Sequence, residues 1–222
     1  MTRVTKTLMA GVCAAMLFTS TGLRAEDIGL TPADGGAAAV AATAPEAGAT
    51  DQTSEGAKNF IASMGDRGIN FLGNESMGIE AKKAEFEKLL NDSFDMTTIG
   101  RFSVGQYWRS MSPAQQKEYQ SLFNDMIVRV YSKRFSDYKG QQFKVESARK
   151  EGNDSIVTSF IVPGDGPQVK VDWRVRNKGG AYKVVDIIVE GVSMAQTQRS
   201  EFASIIQRGG GNVDVLLNHL RQ

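Results

Sequence analysis

The spacing of large apolar residues changes once along the chain, near Gly140. Before that point they recur at three- and four-residue steps, the period of a helix; after it they alternate, the period of a strand. "AKNFIASMGDRGINFL", residues 57–72, places Phe60, Ile61, Met64, Phe71 and Leu72 at loose helical intervals, interrupted by Gly65 and Gly68. "EAKKAEFEKLLNDSF" runs Ala84, Phe86, Leu89 and Leu90 along one stripe, with lysines and glutamates opposite. Ser112-Pro113-Ala114-Gln115 combines an N-cap serine, a first-turn proline and a capping-box glutamine. It predicts a long helix from Pro113 to about Tyr138, ended by Gly140. Tyr119, Leu122, Phe123, Met126, Ile127, Val130, Tyr131 and Phe135 form its broad apolar face. Arg129, Lys133, Arg134 and Lys139 take the other side. They read as a solvated face, with an anionic membrane or partner as the alternative.

Past Gly140 four strands are expected, at 142–148, 155–162, 168–176 and 181–190, parted by clusters of turn residues such as Pro163-Gly164-Asp165-Gly166-Pro167. The third alternates strictly: Val169, Val171, Trp173 and Val175 share one face, and Lys170, Asp172, Arg174 and Arg176 the other. One buried and one wetted face is the habit of an antiparallel sheet. Short helices at about 195–207 and 212–221 close the chain. Helices followed by a meander of strands predict an α+β domain, with helices packed on a curved antiparallel four-stranded sheet and an apolar cavity between the layers.

The amino-terminal segment changes this picture only by subtraction. Arg3 and Lys6 precede an apolar run from Leu8 to Phe18, and Leu23-Arg24-Ala25 offers a cleavage site, so residues 1–25 read as an export signal cleaved near Ala25. Residues 26–56 are dominated by Ala, Gly, Thr and Pro and read as a flexible tether, leaving 57–222 as one folded domain. Cleavage would remove the lone cysteine, Cys13, and with it thiol chemistry and disulfides. It would also leave 23 basic against 25 acidic residues, a balance that gives no footprint for nucleic acid.

Candidate chemistry is sparse. His219, the single histidine, sits three residues from the end and reads as a surface residue. Without thiols or further histidines, zinc and transition-metal sites would rest on carboxylates alone, so no metal or cofactor is expected. "RGGGN", residues 208–212, lacks the lysine and hydroxyl of a phosphate loop and reads as a link between the last two helices. Asp186 lies within the apolar strand "VVDIIVEGVSM". It reads either as a carboxylate holding a loop by hydrogen bonds, or as the general base of a small isomerase or dehydratase. With Val185, Ile187 and Val189 on one face, Asp186 would share the other with Val184 and Ile188. The aromatic and methionine-rich supply, Phe102, Tyr107, Trp108, Phe123, Met126, Trp173 and Met194, suits either core or the wall of an adaptable cavity.

Two stretches carry a resemblance. "IGRFSVGQYWRSMSPAQQKEYQSLFNDMIVRVYSKRFSDYKG" and "VDWRVRNKGGAYKVVDIIVEGVSMAQTQRSEFASIIQRGGGNVDVLL" together resemble the MlaC family of toluene-tolerance, ABC-transporter auxiliary proteins. The most specific piece is an aspartate in the last strand, then Glu190-Gly191-Val192-Ser193-Met194, then an arginine-bearing terminal helix; Tyr182 departs from the tryptophan common at the start of that strand. The resemblance implies a cone-shaped fold whose deep apolar cavity takes the acyl chains of a phospholipid. It also implies shuttling in the periplasm between an outer-membrane lipoprotein complex and an inner-membrane Mla-type ABC transporter complex, maintaining outer-membrane lipid asymmetry. A hopanoid-associated branch is similar in sequence, so a hopanoid is the alternative cargo. A carrier of this kind needs no catalyst and is not expected to be an enzyme. The residues expected to line the cavity are Phe102, Val104, Tyr107, Trp108, Phe123, Ile127, Tyr131, Val171, Trp173, Val185, Ile187 and Val192. Gly191 is expected to turn the chain sharply beside them, with Met194 near the pocket and Asp186 and Ser193 holding the corner by hydrogen bonds.

Overall fold

A computed structural model describes residues 52–222. The expected export signal, and the tether as far as residue 51, lie outside the described residues. The first helix, α1, spans Gln52–Leu72, so the expected domain edge at 57 falls inside it. Ser54 is buried there, its hydroxyl 3.4 Å from that of Ser155. Helices α2 (Ile79–Ser93), α3 (Met96–Val104) and α4 (Pro113–Ser132) follow, with a 3-10 helix at Gly105–Ser110 between the last two. Strands β1 (Gln142–Glu151), β2 (Asp154–Val162), β3 (Val169–Lys178), β4 (Ala181–Val189) and β5 (Val192–Ser193) precede α5 (Met194–Arg208) and α6 (Asp214–Leu220). No described helix is long and apolar enough to cross a membrane.

The strands form one antiparallel sheet in sequence order, five strands where the sequence suggests four. The extra strand arises because Glu190 (φ 47°) and Gly191 (φ 82°) both adopt left-handed backbone. That is the requirement of a two-residue hairpin turn, and it returns Val192 beside Val189. The α5 helix starts directly from this hairpin, N-capped by the Ser193 hydroxyl.

Helix α4 begins as its sequence dictates, with both halves of the Ser112–Gln115 capping box formed. It ends at Ser132, short of Tyr138. From there the hydrogen bonds tighten to three-residue steps, Arg134 N–H to Tyr131 C=O and Asp137 N–H to Arg134 C=O, leading into a 3-10 turn at Phe135–Asp137. Phe135 thereby sits edge-on to Phe86 and Phe71, at centroid separations of 5.3 and 6.0 Å. An aromatic cluster among three elements outweighs local helix continuation.

The sequence pattern marks no element between α2 and α4, where the chain forms α3 and the 3-10 helix. Asp95 starts α3 by accepting a hydrogen bond from Thr98 N–H, 2.9 Å, while its own N–H bonds the Val184 carbonyl of β4. Burial raises the Asp95 pKa, but bonds from the Lys178 ammonium and from Thr98 outweigh it and hold the carboxyl below its ordinary value.

Two apolar clusters result. One joins α3, α4, α5 and α6 around Tyr119, Phe123, Phe202, Ile206, Leu216 and Leu217, all nearly or fully buried. Tyr119 donates to the Gly100 carbonyl at 2.8 Å, and burial pushes its phenol pKa up. The other joins α1, α2 and the inner sheet face around Ile61, Val157, Val175 and Val184, with many partly buried residues at its margin.

Candidate functional site

Between these clusters lies a cavity of about 320 Å³, within the range of roughly 300–1,000 Å³ typical of small-ligand sites. Its walls come from every layer: Met64, Ile69 and Leu72 of α1; Phe86 and Leu89 of α2; Met96 and Ile99 of α3; Phe123, Ile127 and Tyr131 of α4; Phe143, Ile161, Trp173 and Ile187 of the sheet; and Met194 of α5. Helix α1 contributes two glycines. A side chain at Gly65 would strike the Phe143 ring, whose nearest atom lies 2.2 Å from the position of an added Cβ. This close approach brings Phe143 against the helix, where it also stands edge-on to Trp173 at 6.1 Å. The Trp173 indole N–H is satisfied by the buried Ser159 hydroxyl at 2.8 Å, so its ring presents an apolar surface.

Polar groups are few. Arg134, Tyr138, Gln141 and Gln142 stand where the α4–β1 connection passes α1; Ser103, Asp186 and Gln198 stand where α3, β4 and α5 meet. Ser103 is fully buried and its hydroxyl has no hydrogen-bond partner among the described residues. The Asp186 carboxylate accepts from Ser193 O–H (2.6 Å), Ile187 N–H (2.8 Å) and Ala195 N–H (3.0 Å). These bonds tie β4, β5 and the start of α5 into one corner, as the sequence reading expects. Three internal donors thus occupy most of the acceptor sites of this carboxylate. Tyr182, the phenol nearest to Asp186 in sequence, instead stacks on Phe60 beneath α1. No group of three or more metal-ligating side chains occurs among the described residues.

Five of the twelve sequence-expected residues line this space: Phe123, Ile127, Tyr131, Trp173 and Ile187. The other seven do not, and the reasons are physical. Val104, Tyr107 and Trp108 pack into the helical cluster, where Gln116 of α4 donates to the Trp108 carbonyl and Trp108 stands edge-on to Tyr119 at 6.3 Å. Phe102 is 40% exposed beneath the Arg199 guanidinium, 5.1 Å above its ring. Val171, near the start of β3, is 2% exposed and lies outside the lining, and Val192 is 54% exposed beside the hairpin turn.

Val185 is the extra residue of a β-bulge: Val175 pairs with Val184 but Arg174 pairs with Asp186. The bulge shifts the phase of β4. Val184 and Ile187 oppose Val175 and Trp173, which share a face, so they share one too, contrary to the expected alternation. The sequence reading missed the walls supplied by α1, α2 and α3, and also Arg134, which it placed on a solvated helix face. The signal available was the α1 stripe Met64, Gly65, Gly68 and Leu72, in which Gly65 admits the Phe143 ring and Gly68 leaves open space.

Comparison with known proteins gives a consistent result. The sequence profile of the MlaC protein family matches residues 64–222. An intermembrane phospholipid transport system binding protein, MlaC, of Haemophilus influenzae is 26% identical over 124 residues, covering 54% of this chain and 57% of that protein. The toluene tolerance protein ttg2D of Pseudomonas putida is 27% identical over 110 residues, 49% of this chain and 51% of the relative. The matched segments thus span little more than half of each curated relative. Among solved structures, a phospholipid-binding protein from Ralstonia solanacearum, determined in complex with a phospholipid, superposes with a TM-score of 0.65 at 22% identity. That match covers 74% of this chain and 94% of the other, and it shows a shared α+β fold.

Proposed function

The chain belongs to the MlaC family, and on that premise we propose that it is a phospholipid carrier of the periplasm, without enzymatic activity. The observation that carries this reading is the cavity itself: about 320 Å³ of space walled by Met, Ile, Leu, Phe and Trp side chains from all layers of the fold, with few polar groups among them. The names of its relatives, a phospholipid transport binding protein and a structure holding a phospholipid, support the same cargo.

The physical need for such a carrier follows from the tails. Two acyl chains contain roughly 28 methylenes, and at about 0.8 kcal/mol each their exposure to water costs on the order of 20 kcal/mol. A cavity of apolar side chains hides that surface during passage between membranes. Because a bilayer hides it equally well, transfer between membrane and protein is near balance, and delivery requires contact with membrane-bound partners. In this reading those are an inner-membrane Mla-type ABC transporter complex and an outer-membrane lipoprotein complex. The basic run Arg3 to Lys6, the apolar run after it and the site at Ala25 support export.

Native mass spectrometry of the protein isolated from periplasm, followed by solvent extraction and lipid identification, tests the proposal. Co-purification of phospholipid at one molecule per chain is expected. A ligand-free mass that persists after incubation with phospholipid vesicles would overturn it.

A further inference from the structure

Among the described residues the cavity lining contains one cation, Arg134, and one acid, Asp186, and the two differ in what occupies them. Asp186 is consumed by three internal donors at 3.0 Å or less. Arg134 is held only loosely: its ion pair with Asp137 is 3.6 Å long, beyond hydrogen-bonding distance, and its side chain is 44% exposed. Other basic side chains along the sheet are engaged more tightly. Arg176 grips Asp154 at 2.7 and 3.0 Å, Arg174 meets Glu151 at 2.5 Å, and Lys178 meets Asp95 at 2.8 Å. Arg134 reaches the cavity because α4 ends at Ser132 and the 3-10 turn redirects the chain. It lines the apolar space with its side chain still half exposed, and Gln142, also in the lining, is exposed as well.

From this asymmetry we infer that Arg134 marks the mouth of the cavity and binds the phosphate of a lipid headgroup, so that the protein selects lipids carrying a phosphate over uncharged lipids with the same tails. The inference rests on the carrier reading and adds to it the position and charge of the recognised group. A guanidinium offers five N–H donors in a planar fork that matches two phosphate oxygens, and at a half-exposed rim it does so without the cost of burying an unpaired charge. Gln142, also in the lining and exposed, adds an amide able to meet further headgroup oxygens. A diacylglycerol or a polycyclic hydrocarbon lipid would fill the same apolar walls and leave the fork unused.

The test is competition between dioleoylphosphatidylglycerol and dioleoylglycerol, equimolar in micelles of an uncharged sugar detergent, with the bound ratio read by native mass spectrometry. A charged hydrogen bond of ordinary strength predicts about a tenfold preference for the phospholipid. Arg134→Gln should bring the ratio close to one while leaving dioleoylglycerol binding intact, and Lys133→Gln, an exposed neighbour, should change nothing. Equal binding of both lipids by the unaltered protein, or a preference that survives Arg134→Gln, would overturn the assignment while leaving the carrier reading standing. Displacement of bound phospholipid by millimolar glycerol 3-phosphate would also overturn it, since the anion site would then act without the tails. Binding of neither lipid would remove the carrier reading itself.

Discussion

The two apolar clusters are built from similar residues and behave differently. Around Phe202, side chains of α3 to α6 close on one another: Phe202 stands edge-on to Tyr119 and Phe123 at 6.1 and 6.2 Å, and Leu216, Leu217 and Leu220 are no more than 2% exposed. Around Trp173, the sheet and α1 to α3 surround space. Phe86, Phe94, Phe143, Trp173 and Ile187 are only partly buried, and each turns a surface to the cavity. The difference lies in what spaces the layers. In the helical cluster, helices approach directly and interdigitate. In the other, rings at Phe71, Phe86 and Phe135 tie α1, α2 and the turn after α4 to one another, and the partly buried side chains between them and the sheet line the cavity. One cluster supplies stability, and the other gives up some packing to keep room for a ligand.

Substitutions that remove the same kind of atom from each cluster should therefore have unequal effects. Phe202→Ala should cost about 3–5 kcal/mol in denaturant unfolding, the ordinary loss for a large ring in a closed core. Asp186→Ala should cost about 1–3 kcal/mol by leaving three donors without their acceptor, and the variant should still take up lipid; loss of binding with full stability would instead give Asp186 a direct role. Ile187→Ala, in the cavity wall of the Trp173 cluster, should cost only about 1 kcal/mol, below the roughly 2–5 kcal/mol of a closed core, because that side chain already faces space. A loss as large as that of Phe202→Ala would mean the cavity closes in solution.

Asp95 couples the two regions, since it caps α3 and bonds Lys178 of β3. Removing the cap as Asp95→Ala should cost about 1 kcal/mol at neutral pH. Because its folded pKa lies below the unfolded value, its contribution is fully present above the ordinary aspartate range, near 3.8, and is lost as pH falls through the lower folded value. The difference in melting temperature between the protein and this variant should shrink only in that acid window. The smallest effect expected is at Ser103, where alanine removes an unpaired buried hydroxyl: stability should stay level or rise by up to about 1 kcal/mol.

What was legible in the sequence was whatever depends on period and local caps. The capping box of α4, the strict alternation of β3 and the glycine turn before Ser193 all stand as the residues suggest. What was not legible depends on partners distant in sequence. The bulge at Val185 exists only in its pairing with β3, and it moved half of β4 to the opposite phase. The early end of α4 follows from rings on α1 and α2 that attract Phe135. Membership of the cavity is harder still. Val104 and Ile99 are neighbours of the same kind on α3, yet one meets side chains and the other meets space. Sequence period places a residue inside without telling what stands across from it.

The central claim is that acyl chains enter the cluster around Trp173 and not the one around Trp108, and the protein's two tryptophans report on the two clusters separately. The most direct measurement is fluorescence quenching by phosphatidylglycerol with brominated acyl chains, made on Trp108→Phe and Trp173→Phe variants. Strong quenching of Trp173 in the first variant, with Trp108 unquenched in the second, is predicted. Quenching of Trp108 alone, or of neither while the lipid is bound, would contradict the placement of the lipid in this cavity.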